Sequence, residues 1–212
     1  MTRRPAAAIL PNWISTGQAN VQLLFGSLLA FLVAAGVGLG TTWLTLTRGA
    51  AFGALQLGAW TAWPKNGSVN IDPYARAEVA RTGTLPVALG DGIAFFTKAD
   101  DQGRSFVGRC DVEIGGITPA ARFWTLTLYD TEGRLVPNAI NRYGFTSHEL
   151  IRRQDGSFTI HVSPRARSGN WLPTGGIGSY ELVLRFYDTP VGVATRAGRE
   201  APMPSVVTRS CP

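Results

Sequence analysis

A mainly β protein is the fold class this sequence predicts: an antiparallel β-sandwich, jelly-roll-like, with one short helix, preceded by a single transmembrane helix. Three observations predict it. Val21 to Leu46 is an uninterrupted run of 26 residues without a charge. From residue 92 onward, apolar and polar residues alternate in short runs separated by turns rich in Asp and Gly. Period-2 runs at short spacing, with no helical period between them, are the pattern of packed antiparallel sheets. Finally, only one segment after the apolar run carries helix signals at both of its ends.

The apolar run comes first in the chain. A helix needs about 20 apolar residues to cross the hydrocarbon core of a bilayer, and no charged side chain occurs between Arg4 and Arg48. Gly26, Gly36, Gly38 and Gly40 are frequent companions of membrane helices. Gly36 and Gly40 form a GxxxG pattern, a candidate surface for helix packing. The apolar core of a cleaved signal peptide is about 7–15 residues long, so the length favours an uncleaved signal-anchor. Small residues at Ala51 and Gly53 keep cleavage as the alternative. Arg3 and Arg4 precede the span, and Arg48 and Lys65 follow it. This balance favours a cytoplasmic segment over 1–20, a bilayer-spanning helix over 21–46, and the rest in the periplasm of a bacterial inner-membrane protein.

Composition narrows the classes further. With 45% hydrophobic and 16% charged residues, the 212-residue chain is globular and low in charge. Its net charge is +6, but after residue 48 seventeen bases face fourteen acids, scattered along the chain. That excludes the basic footprint of a nucleic-acid binder. The two cysteines, Cys110 and Cys211, fit one disulfide of an exported domain. Two unpaired thiols are the alternative. Their spacing matches no metal or CxxC redox motif.

The elements follow in order. Residues 47–71, rich in Gly, Ala and Trp, read as a connector, with Trp60 and Trp63 as interfacial or packing anchors. Asp72 suits an N-cap and Pro73 the first helical position, and Gly83 suits the stop, so a helix is expected between them. Strands are expected over 92–98 and 104–114 around the turn ADDQG, and over 122–130 before the turn at Asp130 to Gly133. Two more, 148–153 and 157–163, flank QDG, and 179–188 is the last. These make a β-sandwich domain over 72–190, with 191–212 as a C-terminal tail. Alternation assigns Trp124, Leu126, Leu128, Phe158, Ile160, Val162, Tyr180, Leu182, Leu184 and Phe186 to the core. It leaves a polar-aromatic face with Thr127, Tyr129, His161, Arg185 and Tyr187.

Signals for catalysis are sparse. The two histidines, His148 and His161, lack metal-binding spacing, and no GxSxG or SxxK is present. No metal or cofactor is expected. Asp130, Glu149, Asp155 and Glu181 are carboxylates of the type that glycosidases pair, but Asp130 and Asp155 occupy positions that turns favour. Glu181 and Arg185 share a face and suit an ion pair. The candidate binding site is NAINRYGF with NWLP. Asn138, Asn141 and Asn170 offer donors and acceptors to a hydroxylated ligand, Arg142 a planar fork for a carboxylate, and Tyr143 and Trp171 flat faces. The structural alternative is a sandwich corner in which the Asn side chains hold the chain reversal, Arg142 pairs with a buried acid and Trp171 plugs one end.

Five blocks, ARFWTLTLYD, VPNAINRYG, DGSFTIHVS, NWLP and YELVLRFY, resemble in order and spacing a bacterial domain family of unknown function, number 1214. Members look like exported β-sandwich proteins, many with a second domain ahead of this one. In this sequence a membrane anchor takes that domain's place. The resemblance implies fold and envelope location and brings no reaction. The favoured function is a membrane-anchored binding or accessory subunit of an envelope or membrane complex, touching the bilayer through 21–46 and a membrane-protein partner or second copy. The alternatives are an envelope hydrolase acting on a glycan or ester, and a small-ligand-binding module.

Overall fold

A computed structural model describes residues 14–48, 53–83, 85–87, 90–191 and 201–212. Two compact units divide the chain, residues 1–49 and 50–212. In the first, helix α1 runs over Ile14–Arg48. Its Asn20–Thr45 stretch has a mean hydropathy of 2.2 and none of it is buried, so it is long and apolar enough to cross a membrane. At 1.5 Å per residue it spans about 39 Å. The hydroxyls inside it bond to their own helix: Ser27 Oγ to Leu24 O at 3.0 Å, Thr41 Oγ1 to Val37 O at 2.8 Å and Thr45 Oγ1 to Thr41 O at 2.9 Å. These three hydroxyls then need no other partner in hydrocarbon. Gly36 and Gly40 lie in this stretch. Arg3 and Arg4, and most of the segment expected to be cytoplasmic, lie outside the described residues.

The second unit is built from two sheets. The larger has six antiparallel strands in the order β1 (Leu55–Leu57), β2 (Trp60–Ala62), β3 (Gly92–Thr97), β9 (Tyr180–Tyr187), β5 (Phe123–Asp130) and β6 (Gly144–Thr146). The smaller runs β10 (Ser205–Ser210), β4 (Asp111–Gly116), β7 (Phe158–Ser163) and β8 (Asn170–Pro173). All neighbours are antiparallel except β7 and β8, which run parallel, so the sandwich is mixed at that edge rather than wholly antiparallel.

Alternation fills the space between the sheets as the sequence predicts. Trp124, Leu126, Leu128, Leu182, Leu184 and Phe186 from one side meet Val112, Ile114, Phe158, Ile160, Val162 and Leu172 from the other, all buried. Trp124 and Phe158 meet with ring centroids 5.3 Å apart, and Phe106 stacks on Tyr180 at 5.1 Å. Helix α2 (Pro73–Thr82) is capped as expected. Asp72 accepts from the N–H groups of Tyr74 and Ala75, and Gly83 adopts the left-handed conformation while donating to Val79 O.

Several boundaries differ from the sequence reading. The connector expected over 47–71 supplies β1 and β2, a hairpin that adds two strands to the larger sheet. The tail expected over 191–212 supplies β10, an edge strand of the smaller sheet with Val206 fully buried; residues 192–200 lie outside the described residues. The strand expected over 104–114 is regular only from Asp111. Residues 104–110 instead cross from one sheet to the other, touching the ladders only through isolated bridges at Ala99–Ser105 and Val107–Ser179. The strand expected over 148–153 reduces to a bridge between Arg152 and Phe158, because Arg153 to Gly156 turns back at once, with Gly156 N donating to Arg153 O. The single polar-aromatic face divides in two. His161 lies on the smaller sheet beside Glu113, while Thr127, Tyr129, Arg185 and Tyr187 lie on the larger.

Trp60 is a packing anchor. It is fully buried and its indole N–H donates to Pro204 O at 2.8 Å, across 144 residues of sequence. Cys110 and Cys211 form a disulfide that fastens the end of β10 beside the start of β4.

Candidate functional site

The NAINRYGF cluster forms the link from β5 to β6. Asn138 organises it. Its side-chain amide donates to Val136 O at 3.1 Å and Arg142 O at 2.8 Å, and its carbonyl accepts from Arg142 N at 3.0 Å. One side chain thereby replaces the backbone ladder that a reversal this tight cannot make. Asn141 sits at φ 52°, in the left-handed region that Asn tolerates better than most residues. Its carbonyl accepts a long hydrogen bond of 3.4 Å from Tyr143 Oη. The following residue must be glycine. A Cβ on Gly144 would stand 2.2 Å from Leu126 O, so only a bare backbone lets β6 lie against β5 here.

Arg142 joins the two sheets at their open edge. Its guanidinium donates to Trp171 O in β8 at 3.1 Å and lies 5.2 Å from the centre of the Phe145 ring. The buried acid expected as its partner is not what it meets among the described residues; a main-chain carbonyl and an aromatic face take that role. Asn170, also in β8, is buried and spends its amide wholly on backbone. It accepts from Ile151 N at 2.8 Å and donates to Ile151 O and Thr159 O at 2.9 Å each. Trp171 donates through its indole to Ser163 O at 3.0 Å. The fold therefore brings the NRYG and NWLP motifs together, as one edge where β6, β8 and the chain at Ile151 meet.

Most of the side-chain bonds at this edge go to the protein's own backbone. Asn170→Ala is expected to cost about 2 kcal/mol, because three part-buried backbone groups, two on Ile151 and one on Thr159, lose their partner. Arg142→Ala should cost about 1 kcal/mol, since its partner carbonyl remains free to meet water. Chemical denaturation of the two variants, read side by side, checks the order of these effects.

The acids are committed in the same way. Glu149 accepts from Thr146 N and Oγ1, both at 2.9 Å, and these bonds lower its pKa. Asp155 is lowered by the hydroxyl and N–H of Ser157, and Asp130 chiefly by the backbone N–H of Arg134 together with its guanidinium. Glu181 pairs with Lys98 at 3.1 Å, whereas Arg185, expected as its partner, donates to Tyr129 Oη at 3.3 Å and lies over that ring. Among the described residues no three His, Cys, Asp or Glu side chains gather closely enough to hold a metal ion.

The sequence reading passed over Asp100 and Asp101, whose letters spell an ordinary turn. Asp100 is buried. It accepts from the N–H groups of Gln102, Arg104 and Thr208 and from the Arg104 guanidinium. Burial alone would raise its pKa, but the bonds from Arg104 and Thr208 outweigh it and hold the carboxyl well below the usual range. Asp101 accepts from Ala59 N at 3.1 Å and Val206 N at 2.8 Å, bridging the first hairpin to the last strand. The paired letters DD before a Gly were the available signal, and nothing local says that the second carboxylate reaches β10.

Comparison with known proteins finds a family model that matches part of the chain, and a likeness of fold. Residues 91–191 match the model of a family described as "Protein of unknown function (DUF1214)". A crystal structure of the VPA0106 protein from Vibrio parahaemolyticus superposes with a TM-score of 0.55 at 19% identity, covering 84% of this chain and 44% of that one. An uncharacterised protein from Burkholderia cenocepacia gives a TM-score of 0.40 at 16% identity, over 82% of this chain and 51% of that one. The chain thus spans about half the length of these solved relatives. No curated protein matches it. The ordered blocks from ARFWTLTLYD to YELVLRFY and the family model agree, and residues 91–191 of the β domain are similar to the DUF1214 family.

Proposed function

We propose that this chain is a single-pass protein of the bacterial inner membrane whose β domain stands in the periplasm and serves as a binding or accessory subunit of an envelope or membrane complex. One observation carries the reading: a helix of spanning length precedes a disulfide-tied sandwich in which Asp100, Asp101, Asp111, Asp130, Glu149 and Asp155 bond to its own framework. A disulfide suits an oxidising compartment. A general acid for glycan or ester hydrolysis needs a pKa raised towards neutrality. Asp100, Asp111, Glu113, Asp130, Glu149 and Asp155 are all shifted the other way. That direction favours binding over turnover.

The experiment is purification of the full chain from membranes in mild detergent, with mass measured on the eluate. A stoichiometric companion chain is the expected result. A chain that elutes at monomer mass, with nothing accompanying it from the native host, defeats the subunit reading.

A further inference from the structure

The end of the β domain that carries the disulfide holds more guanidinium groups than carboxylates to match them. Asp111 is the acid at its centre, and its oxygens are already taken. Oδ1 accepts from Ser163 Oγ at 2.5 Å, and Oδ2 accepts from Ser210 Oγ at 3.0 Å and from the Arg167 guanidinium. Arg165 stands 3.7 Å from the same Oδ2, outside hydrogen-bond length, with its side chain 65% exposed. Arg109 is exposed and has no hydrogen-bond or ion-pair partner among the described residues. Arg109 and Arg165 line one open hollow of about 410 Å³ whose other walls include Val107, Gly108, Pro164, Ile177 and Pro212.

Both arginines stand on turns fixed from several sides. Cys110 N donates to Val107 O at 2.9 Å, Gly108 N to Gly178 O at 2.8 Å, and Thr174 Oγ1 to Gly108 O at 2.7 Å. A Cβ on Gly108 would lie 2.0 Å from Ile177 O, so a glycine is what lets these two walls touch. On the other side Arg165 N donates to Ser163 Oγ at 3.1 Å.

We propose that this hollow binds a small organic oxyanion, a carboxylate or a phosphate monoester carried on an apolar body. Two guanidinium groups, Arg109 without a partner among the described residues and Arg165 paired with Asp111 only at 3.7 Å, supply planar, charge-assisted donors for such a head. The Val, Ile and Pro walls take the apolar remainder. Fixed turns limit the ordering cost of capture. A bare inorganic anion would leave the apolar walls unmet, and a neutral apolar molecule would leave both arginines unmet. The site needs no companion chain, so it stands or falls separately from the subunit role.

The test is equilibrium dialysis of the full-length protein in zwitterionic nanodiscs, corrected for empty nanodiscs, with benzoate, phenyl phosphate, inorganic phosphate and benzyl alcohol as probes. Saturable binding of benzoate, phenyl phosphate or both is expected, at least tenfold tighter than that of inorganic phosphate and benzyl alcohol. Saturation by only one of the first two supports the site and assigns its oxyanion. Arg109→Ala and Arg165→Ala lie at exposed positions and should each weaken binding about tenfold with the melting temperature unchanged; tenfold is about 1.4 kcal/mol. No saturable binding, equal binding of inorganic and phenyl phosphate, or unchanged affinity in the double variant overturns the proposal.

Discussion

Trp60→Ala is expected to lower the stability of the β domain by about 4–5 kcal/mol, the largest effect of any single substitution considered. Truncating a fully buried aromatic side chain to Ala costs about 3–5 kcal/mol through lost burial and the cavity left behind. Trp60 carries a second role, because its indole N–H satisfies Pro204 O just before β10. Loss of that bond adds about 1 kcal/mol. Trp60→Phe separates the two contributions: it keeps most of the packing and should cost about 2 kcal/mol. Calorimetry of the full chain in nanodiscs gives both values. Equal losses for Ala and Phe would mean that the hydrogen bond, rather than the ring, holds this junction.

Asp100→Ala comes next, at about 3 kcal/mol at pH 7, since three backbone N–H groups and the Arg104 guanidinium lose their acceptor in a buried setting. In a domain of this size that corresponds to a fall of about 9 °C in melting temperature. The loss should depend on pH in a fixed direction. The folded-state pKa of Asp100 lies below its unfolded value. Its contribution is therefore fully present above the unfolded pKa, near 4, and declines below that value until pH has fallen through the folded one. Melting curves of parent and Asp100→Asn, taken from pH 7 down to about 2.5, should draw closer together towards the acid end. A gap that stays constant across that range would show that the carboxylate charge contributes nothing.

These two residues also mark where the sequence was legible and where it was not. Strands β5, β7 and β9 were plain because each is long enough for alternation to speak, and each buries one face fully. Helix α2 was plain because Asp72, Pro73 and Gly83 state both ends locally. Strands β1 and β2 have three residues apiece, too few for a period, and were absorbed into a connector. The tail hid β10 for a different reason: its partner β4 lies about ninety residues earlier, and a two-residue alternation cannot name a partner. The run RSFV has strand-like composition, yet its chain changes sheets. In the candidate site, the choice between a ligand cluster and a corner depended on the direction of each amide. Asn138 and Asn170 face backbone, a fact set by neighbours such as Ile151 and Thr159 that no spacing rule connects.

The junction between the first hairpin and the last strand has a consequence in time as well as space. A chain made from its N-terminus presents Trp60 and Asp101 long before their partners at Pro204 and Val206 exist. Until residues 205–210 emerge, the smaller sheet lacks an edge strand and the core lacks Val206. Contacts of such long sequence separation form late and slowly. The β domain should therefore remain open until residue 206 has been made. Protease resistance of chains released at increasing lengths would show whether closure waits for residue 206.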